Sequence, residues 1–136
     1  MEEVIQAKNL AFTYPGLDDA PGIPVFEDLD LSVEEGSFVA ILGSNGCGKS
    51  TLVKSLVGLV QADFGAFRLL GEKVDFKNSA SVRRVRDLVQ MIFQDPFSSL
   101  NPRQTVAEIL TAPVVARGFS FDEARTRAQK LLDRVS

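Results

Sequence analysis

The stretch ILGSNGCGKST, at residues 41–51, combines glycines, a lysine and hydroxyl side chains behind an apolar run. Four of its residues meet the spacing G-x-x-x-x-G-K-S, namely Gly43, Gly48, Lys49 and Ser50. Glycines let the backbone wrap around an anion with its N–H groups pointing inward. The pattern therefore predicts a loop that cradles the phosphates of a nucleotide. The competing interpretation is a glycine-rich turn with an exposed lysine.

The side chains of this loop have expected roles. Lys49 should reach the β- and γ-phosphates, and the Ser50 hydroxyl should ligate Mg²⁺. The Thr51 hydroxyl is expected to contact the α-phosphate, and the helix that follows contributes its positive N-terminal end. Cys47 is expected to be either a small residue that fits the loop or a reactive thiol that a bound nucleotide protects. The predicted nucleotide-binding residues of the loop are Gly43, Ser44, Asn45, Gly46, Cys47, Gly48, Lys49, Ser50 and Thr51.

The segments on either side of the loop predict the elements that such a site needs. SFVAIL, at residues 37–42, is apolar at nearly every position, which indicates a strand buried on both faces of a sheet. STLVKSLVGLV, at residues 50–60, has apolar residues at helical spacing and predicts a helix that ends near Gly58. The predicted order is therefore strand, loop and helix, which is the context that a phosphate-binding loop requires.

Two strands are predicted before the loop, and two more after it. Residues 4–14 alternate between apolar and polar side chains, and EDLDLSV, at residues 27–33, does so more strictly. Such alternation is typical of antiparallel strands with one solvated face. Downstream, AFRLLG predicts a short strand, and VQMIFQD, at residues 89–95, predicts a second strand of the buried type.

Three helices are predicted in the second half of the chain. SASVRRVRDL reads as a basic helix with a serine cap, and its arginines form either a solvated face or a docking surface. Thr105 and Glu108 form a capping-box pattern ahead of a helix that should break near Pro113 or Gly118. A second capping box, in the sequence SFDE, precedes a last helix with an apolar face.

Composition limits the class of protein. A chain of 136 residues with 45% apolar content is long enough for one core. The net charge of −3 gives no reason to expect nucleic acid as a partner. The single cysteine and an N-terminal sequence without the features of a secretory signal favour a reducing cytoplasm.

These motifs resemble those of the ATP-binding subunits of ABC transporters. GSNGCGKST is similar to their Walker A loop, and VQMIFQD is similar to the strand that leads into their Q-loop. The resemblance implies ATP and Mg²⁺ as cofactors, with Lys49 and Gln94 as catalytic residues and Ser50 and Gln94 as contacts of Mg²⁺. It also implies that Tyr14, in FTYPG, stacks on adenine. The alternatives are a tyrosine used for packing and a strand-end glutamine that satisfies backbone groups.

The two halves of the chain resemble different branches of that family. AKNLAFTYPG and the loop are similar to the ATPases of energy-coupling-factor importers for vitamins and transition metals. QDPFSSLNPR and the sequence after it are similar to the ATPases of oligopeptide, dipeptide and nickel importers. Because the downstream match is longer and more distinctive, peptide or nickel import is favoured.

The implied fold is α/β, of the ABC type of P-loop NTPase, with an antiparallel β subdomain, a partly parallel core sheet and helices. Residues 1–35 are expected to be mainly antiparallel strands, residues 36–100 the P-loop core up to the Q-loop, and residues 101–136 the start of a helical subdomain. No segment matches the LSGGQ signature or the Walker B strand with its catalytic glutamate, and the chain contains no histidine for the switch position. The domain is therefore expected to be C-terminally incomplete, to bind nucleotide weakly at best and not to hydrolyse it.

The implied function is that of the ATP-binding component of an importer, peripheral at the cytoplasmic face of the membrane. Its expected partners are membrane permease subunits and a second ATP-binding subunit, without nucleic acid. Two alternatives stay open at this point. One is a nucleotide-binding module that never hydrolyses, and the other is a soluble ABC-type ATPase, against which QDPFSSLNPR argues.

Overall fold

The computed structural model describes residues 2–17, 20–95, 97 and 99–135 and divides into two compact units, Met1–Met91 and Ile92–Ser136. Asp18 and Asp19, in the turn-rich sequence GLDDAPGIP, and Pro96 and Ser98, in QDPFSSLNPR, lie outside this description. The elements in chain order are β1 (Glu3–Tyr14), β2 (Ile23–Glu34), α1 (Lys49–Leu56), β3 (Ala66–Leu69), β4 (Glu72–Lys73), α2 (Ser79–Leu88), α3 (Val106–Val115) and α4 (Phe121–Val135).

The first unit contains a four-stranded antiparallel sheet in the order β2-β1-β3-β4. The strands predicted at residues 4–14, 27–33 and 66–71 are confirmed as β1, β2 and β3, although β2 begins earlier, at Ile23. Along the second half of β2, apolar residues are half-buried and the polar residues between them are exposed. The alternation in the sequence therefore reports correctly which face of the sheet packs on the core.

Two residues with positive φ, one in each strand, interrupt the regular pairing of β1 and β2. Asn9 and Asp28 both have φ of 49°, and the register shifts between the pairs on either side of Asn9. The Asn9 side-chain N–H donates to Asp28 Oδ1 at 2.7 Å, and its backbone N–H donates to Asp30 Oδ1 at 2.9 Å. Lys8 Nζ pairs with Asp30 Oδ2 at 2.7 Å, so this polar cluster holds the two bulged strands together.

The core of the first unit consists of two adjoining apolar clusters. Leu56 and Phe64 pack against both clusters and so join them. Through Leu52 and Leu56, α1 is packed against the sheet, which fixes the helix that follows the glycine-rich loop. The buried members of the clusters are Ala7, Phe67, Leu69 and Val85 in one, and Leu10, Phe12, Leu52 and Ala62 in the other.

Two predicted strands are wrong for this structure. Residues 37–42 and 89–95 have no strand structure, and the side chains of Phe38, Leu42 and Ile92 are 96%, 89% and 89% exposed. A strand requires a hydrogen-bonded neighbour, and the sheet of the described residues, including the isolated bridge of Ala11 to Asp63, contains neither segment. Each segment keeps the apolar composition of a buried strand but lies outside the sheet.

The residue that caps α2 differs from its prediction, whereas α3 ends between Pro113 and Gly118, as predicted. The residue that caps α2 is Asn78, whose Oδ1 accepts from the N–H groups of Ala80 and Ser81, rather than a serine. Pro113 lies inside α3, which continues to Val115 and is followed by Gly118 with φ of 94°. The loss of one N–H at Pro113 does not end the helix, because the N–H of the next residues still reaches carbonyls within it.

The arginines of α2 are partly engaged. Arg84 forms an ion pair with Glu72 at 2.6 Å, and Arg86 Nη2 donates to the carbonyl of Gly58 at 3.0 Å. Gly58 has φ of 68° and follows the last turn of α1, which confirms the predicted end of that helix. Arg86 therefore links α2 to the carbonyl end of α1, where a positive charge is favourable.

The second unit contains the helices α3 and α4, which pack against each other and each begin with the predicted capping box. The Thr105 hydroxyl accepts from the Glu108 N–H, while the Thr105 N–H donates to the Glu108 carboxylate at 2.7 Å. Ser120 and Glu123 repeat this exchange at the start of α4. The face of α4 predicted to be apolar is only partly covered. Ala124 and Ala128 are buried, and Phe121, Leu131, Leu132 and Val135 are exposed.

Candidate functional site

The P-loop (residues 43–51) connects the exposed segment 37–42 to the first turn of α1. Its turn is closed by the Cys47 N–H, which donates to the Ser44 carbonyl at 3.4 Å. Gly46 and Gly48 have φ of 81° and 97°, a region that side chains with a Cβ rarely adopt. These two glycines therefore allow the curvature that the spacing of the sequence predicted.

Two glycines are also required by close contacts. A Cβ on Gly48 would lie 2.4 Å from Val25 Cγ1 of β2, and a Cβ on Gly43 would lie 2.6 Å from Cys47 Sγ. Both distances are far below carbon contact distance. The end of the P-loop is thus pressed against β2, and this contact sets where α1 begins.

Lys49 lies folded over the P-loop. Its Nζ donates to the carbonyls of Gly43 and Ser44, at 3.0 and 2.7 Å, and lies 3.8 Å from Cys47 Sγ. Two of the three ammonium protons are thereby directed at main-chain carbonyls of the loop. The positive charge is held within the loop's curve, where it is available to exchange these carbonyls for phosphate oxygens.

The N-terminus of α1 is free of side-chain caps. The first helical hydrogen bond runs from the Leu52 N–H to the Gly48 carbonyl at 2.8 Å, so the N–H groups of residues 49–51 precede the helical ladder. Among the helices that the structure describes, α2, α3 and α4 each receive a capping side chain, whereas Gly48 offers α1 none. Its first turn also contains no acidic residue. Free N–H donors and a helix dipole at one end are the features by which helix N-termini attract anions.

Tyr14 lies at the end of β1 beside the P-loop. Its hydroxyl is 3.0 Å from Thr51 Oγ1, in a hydrogen bond in which either oxygen can donate. Its ring packs edge-on against Phe12, with the ring centres 4.8 Å apart and an angle of 86°. The side chain remains 47% exposed, which leaves ring surface open for stacking.

A cavity of about 370 Å³ joins Tyr14 to the P-loop. This volume falls in the usual range for small-molecule sites. Part of the cavity wall belongs to β2, and its residues were not predicted from the sequence. A register for β1 and β2 would have revealed this wall, since Tyr14 pairs with Ile23. The cavity is lined by Tyr14, Ile23, Pro24, Val25 and residues 46–51.

Gln94 belongs to the second unit, Ile92–Ser136, and is exposed. It follows a segment that forms no strand, so the strand predicted to carry it is not present. The neighbouring Asp95 carboxylate accepts from the Phe97 N–H at 3.0 Å. The catalytic and Mg²⁺ roles of Gln94 stay predictions.

The side chains with shifted pKa values lie outside the P-loop. The hydrogen bond from Lys8 lowers the pKa of Asp30 below its usual value, and the Asp30 carboxylate raises the pKa of Lys8. The backbone N–H of Thr105 lowers the pKa of Glu108, and the hydroxyl of the serine that caps α4 lowers that of Glu123. These carboxylates stabilise strands and helix ends.

A metal ion at this site would depend on a nucleotide. Within the ranges that the structure describes, no group of three or more His, Cys, Asp and Glu residues could hold a metal ion. The Ser50 hydroxyl, exposed in the first turn of α1, is the kind of single oxygen ligand that Mg²⁺ uses together with phosphate oxygens. The residues present therefore fit a metal ion that is held mainly by a bound phosphate chain.

Comparison with known proteins places this P-loop in a family. The family profile described as ABC transporter matches residues 26–136. The chain belongs to the ABC transporter family. The expectation drawn from GSNGCGKST and VQMIFQD is thereby confirmed.

Two of the curated relatives that this chain resembles are named as ATP-binding proteins of oligopeptide transport and of nickel import. The oligopeptide transport ATP-binding protein OppF of Lactococcus lactis is 37% identical, in a match covering 99% of this chain and 44% of OppF. The nickel import ATP-binding protein NikE of Shigella flexneri is 43% identical, covering 82% of this chain and 42% of NikE. The chain thus spans less than half the length of these curated relatives. Both halves of the chain align with OppF, although the upstream half had indicated a different branch.

Solved structures confirm the ABC cassette fold. The ATP-binding cassette MJ0796, a dimer in a post-hydrolysis state bound to ADP and Pi, matches with a TM-score of 0.73 and 25% identity. The match covers 95% of this chain and 56% of that one. No helix in the described part of the chain is both long and apolar enough to cross a membrane.

Proposed function

We propose that this chain is the ATP-binding component of an ABC-type importer, with the P-loop as its nucleotide site. The observation that carries this proposal is the start of α1, where uncapped N–H groups and the Lys49 ammonium converge on one cavity. Three positive features, which are the helix dipole, the free amide donors and the lysine, all favour a chain of phosphates. Membership of the ABC transporter family supports ATP as the ligand.

Different residues of the site bind different parts of the nucleotide. Lys49 exchanges its carbonyl partners for the β- and γ-phosphates, and the uncapped N–H groups at the start of α1, residues 49–51, donate to phosphate oxygens. Ser50 supplies a hydroxyl ligand to Mg²⁺, and Gln94 a second contact. The exposed ring of Tyr14 stacks on adenine, since it lines the same cavity as the P-loop. Bound Mg²⁺ supplies positive charge that neutralises the phosphates.

The importer role rests on the relatives. OppF and NikE are named for oligopeptide transport and nickel import, and both match most of this chain. We therefore place peptide or nickel uptake first, and vitamin or transition-metal uptake through an energy-coupling factor second. The proposed partners are membrane permease subunits and a second ATP-binding subunit, which places the protein at the cytoplasmic face of the membrane. The dimer of MJ0796 supports pairing of two ATP-binding subunits.

Calorimetric titration with Mg-ATP tests the nucleotide site. Wild type should bind Mg-ATP, and Lys49→Ala should bind at least about tenfold more weakly, because it loses hydrogen bonds from a charged donor. The matched control is Lys54→Ala, which removes a lysine from the last turn of the same helix. It should leave the affinity near that of wild type. Equal affinities of wild type and Lys49→Ala would overturn the proposal.

Phosphate release measured on the same samples tests the catalytic parts. The chain contains no match to the Walker B glutamate or the signature sequence, and we expect it to bind Mg-ATP without turnover. Release of phosphate that depends on Lys49 would contradict this expectation.

A further inference from the structure

The hydrogen bond between Tyr14 and Thr51 connects two parts of the nucleotide site. Tyr14 ends β1, and Thr51 lies in the first turn of α1, 37 positions further along the chain. The two oxygens are 3.0 Å apart, within the normal range for hydroxyl groups. The tyrosine proposed to hold the base is therefore bonded to the threonine proposed to hold a phosphate.

Thr51 uses its hydroxyl differently from other hydroxyl residues in these helices. Ser55, Thr111 and Thr126 each donate to the carbonyl four residues earlier, at 2.8, 2.7 and 2.9 Å. That is the usual bond of such side chains within a helix. The Thr51 hydroxyl instead faces a strand residue across the cavity, although the residue itself is only 7% exposed.

The proton count of these hydroxyls sets the direction of the bond. A threonine hydroxyl has one proton to donate and can accept two hydrogen bonds. When a phosphate oxygen accepts the Thr51 proton, the Tyr14 phenol must be the donor in the pair. The result is a chain from Tyr14 Oη to Thr51 Oγ1 to phosphate, and donors in such chains polarise one another.

We infer that Tyr14 is a positioning residue for the phosphate end of the nucleotide, in addition to its role at the base. Its hydroxyl orients and polarises the Thr51 hydroxyl, so base and phosphate recognition are coupled through one hydrogen bond. This inference rests on the proposed ATP site. It differs from stacking alone, because a stacking ring needs no hydroxyl and has no effect on a ligand without a base.

Binding of a ligand that has phosphates but no base separates the two roles. The probe is inorganic triphosphate with Mg²⁺, and its affinity is measured by displacement of a fluorescent ATP analogue. Tyr14→Phe keeps the ring and its contact with Phe12 but removes the hydroxyl. This variant should bind triphosphate about threefold to tenfold more weakly, which is the effect of one lost hydrogen bond. Unchanged affinity for triphosphate would overturn the inference.

A double-mutant cycle, with affinity for Mg-ATP as the measured quantity, tests the coupling independently. Thr51→Val removes the hydroxyl and keeps the branched shape. In the Thr51→Val background, Tyr14→Phe should have no further effect on ATP affinity, because the bonded partner is already absent. Additive losses would contradict the coupling. This cycle also decides the matter if the affinity for triphosphate is too low to measure.

Two controls separate this inference from others. Far-UV circular dichroism of Tyr14→Phe should match wild type, and its thermal unfolding should change by no more than the loss of one hydrogen bond, because the ring and its contact with Phe12 remain. If Lys49→Ala still binds ATP like wild type, the proposed site itself is wrong. If Lys49 is required while Tyr14→Phe is neutral toward both ligands, only the coupling is wrong.

Discussion

Replacement of Gly48 by alanine should destabilise the protein in two separable ways. The backbone at Gly48 has φ of 97°, and a left-handed conformation costs a residue with a Cβ about 1–2 kcal/mol. The new methyl would also lie 2.4 Å from Val25 Cγ1, and overpacking of this kind costs about 1–3 kcal/mol. The sum is a loss of about 2–5 kcal/mol in the free energy of unfolding.

Gly46 provides the matched control for the backbone contribution. It has φ of 81° and lies in the same loop, but a Cβ added there meets no atom within 4 Å. Gly46→Ala should therefore lose only about 1–2 kcal/mol. Equilibrium unfolding in urea, with the slope checked for each variant, measures both losses.

Removal of the clashing methyl tests the contact contribution. In Val25→Ala, the nearest remaining atom of that side chain is Cβ, which lies 3.9 Å from the added methyl, an ordinary contact. Gly48→Ala in this background should cost no more than Gly46→Ala. If Gly48→Ala lowers the free energy of unfolding equally in wild type and in Val25→Ala, then β2 does not press on the P-loop.

Three further outcomes are expected. Cys47 is an exposed free thiol in the P-loop and should react with a maleimide, with Mg-ATP slowing the reaction; equal rates with and without Mg-ATP would contradict the site. The pKa of Asp30 is lowered below its usual 3.8 by Lys8, so its stabilising effect is complete above that value and lost as pH falls through the folded-state pKa. Asp30→Asn should thus make acid unfolding less steep, and an unchanged acid limb would count against the ion pair. Arg86→Ala should lower the free energy of unfolding by about 0.5–1.5 kcal/mol, because Arg86 bonds a carbonyl at the C-terminal end of α1. Arg84→Ala, which removes only a surface ion pair, should lower it less, and thermal unfolding measures both.

The features predicted correctly depend on residues close together in the chain. The curved glycine-rich loop ahead of α1 follows from the spacing of Gly43, Gly48 and Lys49, because a tight turn into a helix is a local structure. Capping boxes join residues three positions apart, so Thr105 with Glu108 could be recognised without knowing the fold. The alternation along β2 likewise indicated its buried face.

The features that were missed or wrong depend on distant parts of the chain. The apolar composition of residues 37–42 indicates burial in a sheet, but a strand forms only beside a partner, and composition does not name the partner. The wall of the cavity at Ile23 and Val25 required the register between β1 and β2. The bond of Tyr14 to Thr51 required knowledge of where α1 packs on the sheet.

The most direct test of the central claim is a titration of the isotope-labelled chain with Mg-ATP, followed through its backbone amide resonances by NMR. We expect the amide resonances of residues 43–51 and of Tyr14 to shift most, because phosphate oxygens accept from the uncapped N–H groups at the start of α1. The amides of α3 and α4 should shift little. Shifts centred on the second unit, or unchanged P-loop resonances at saturating Mg-ATP, would contradict nucleotide binding at the P-loop.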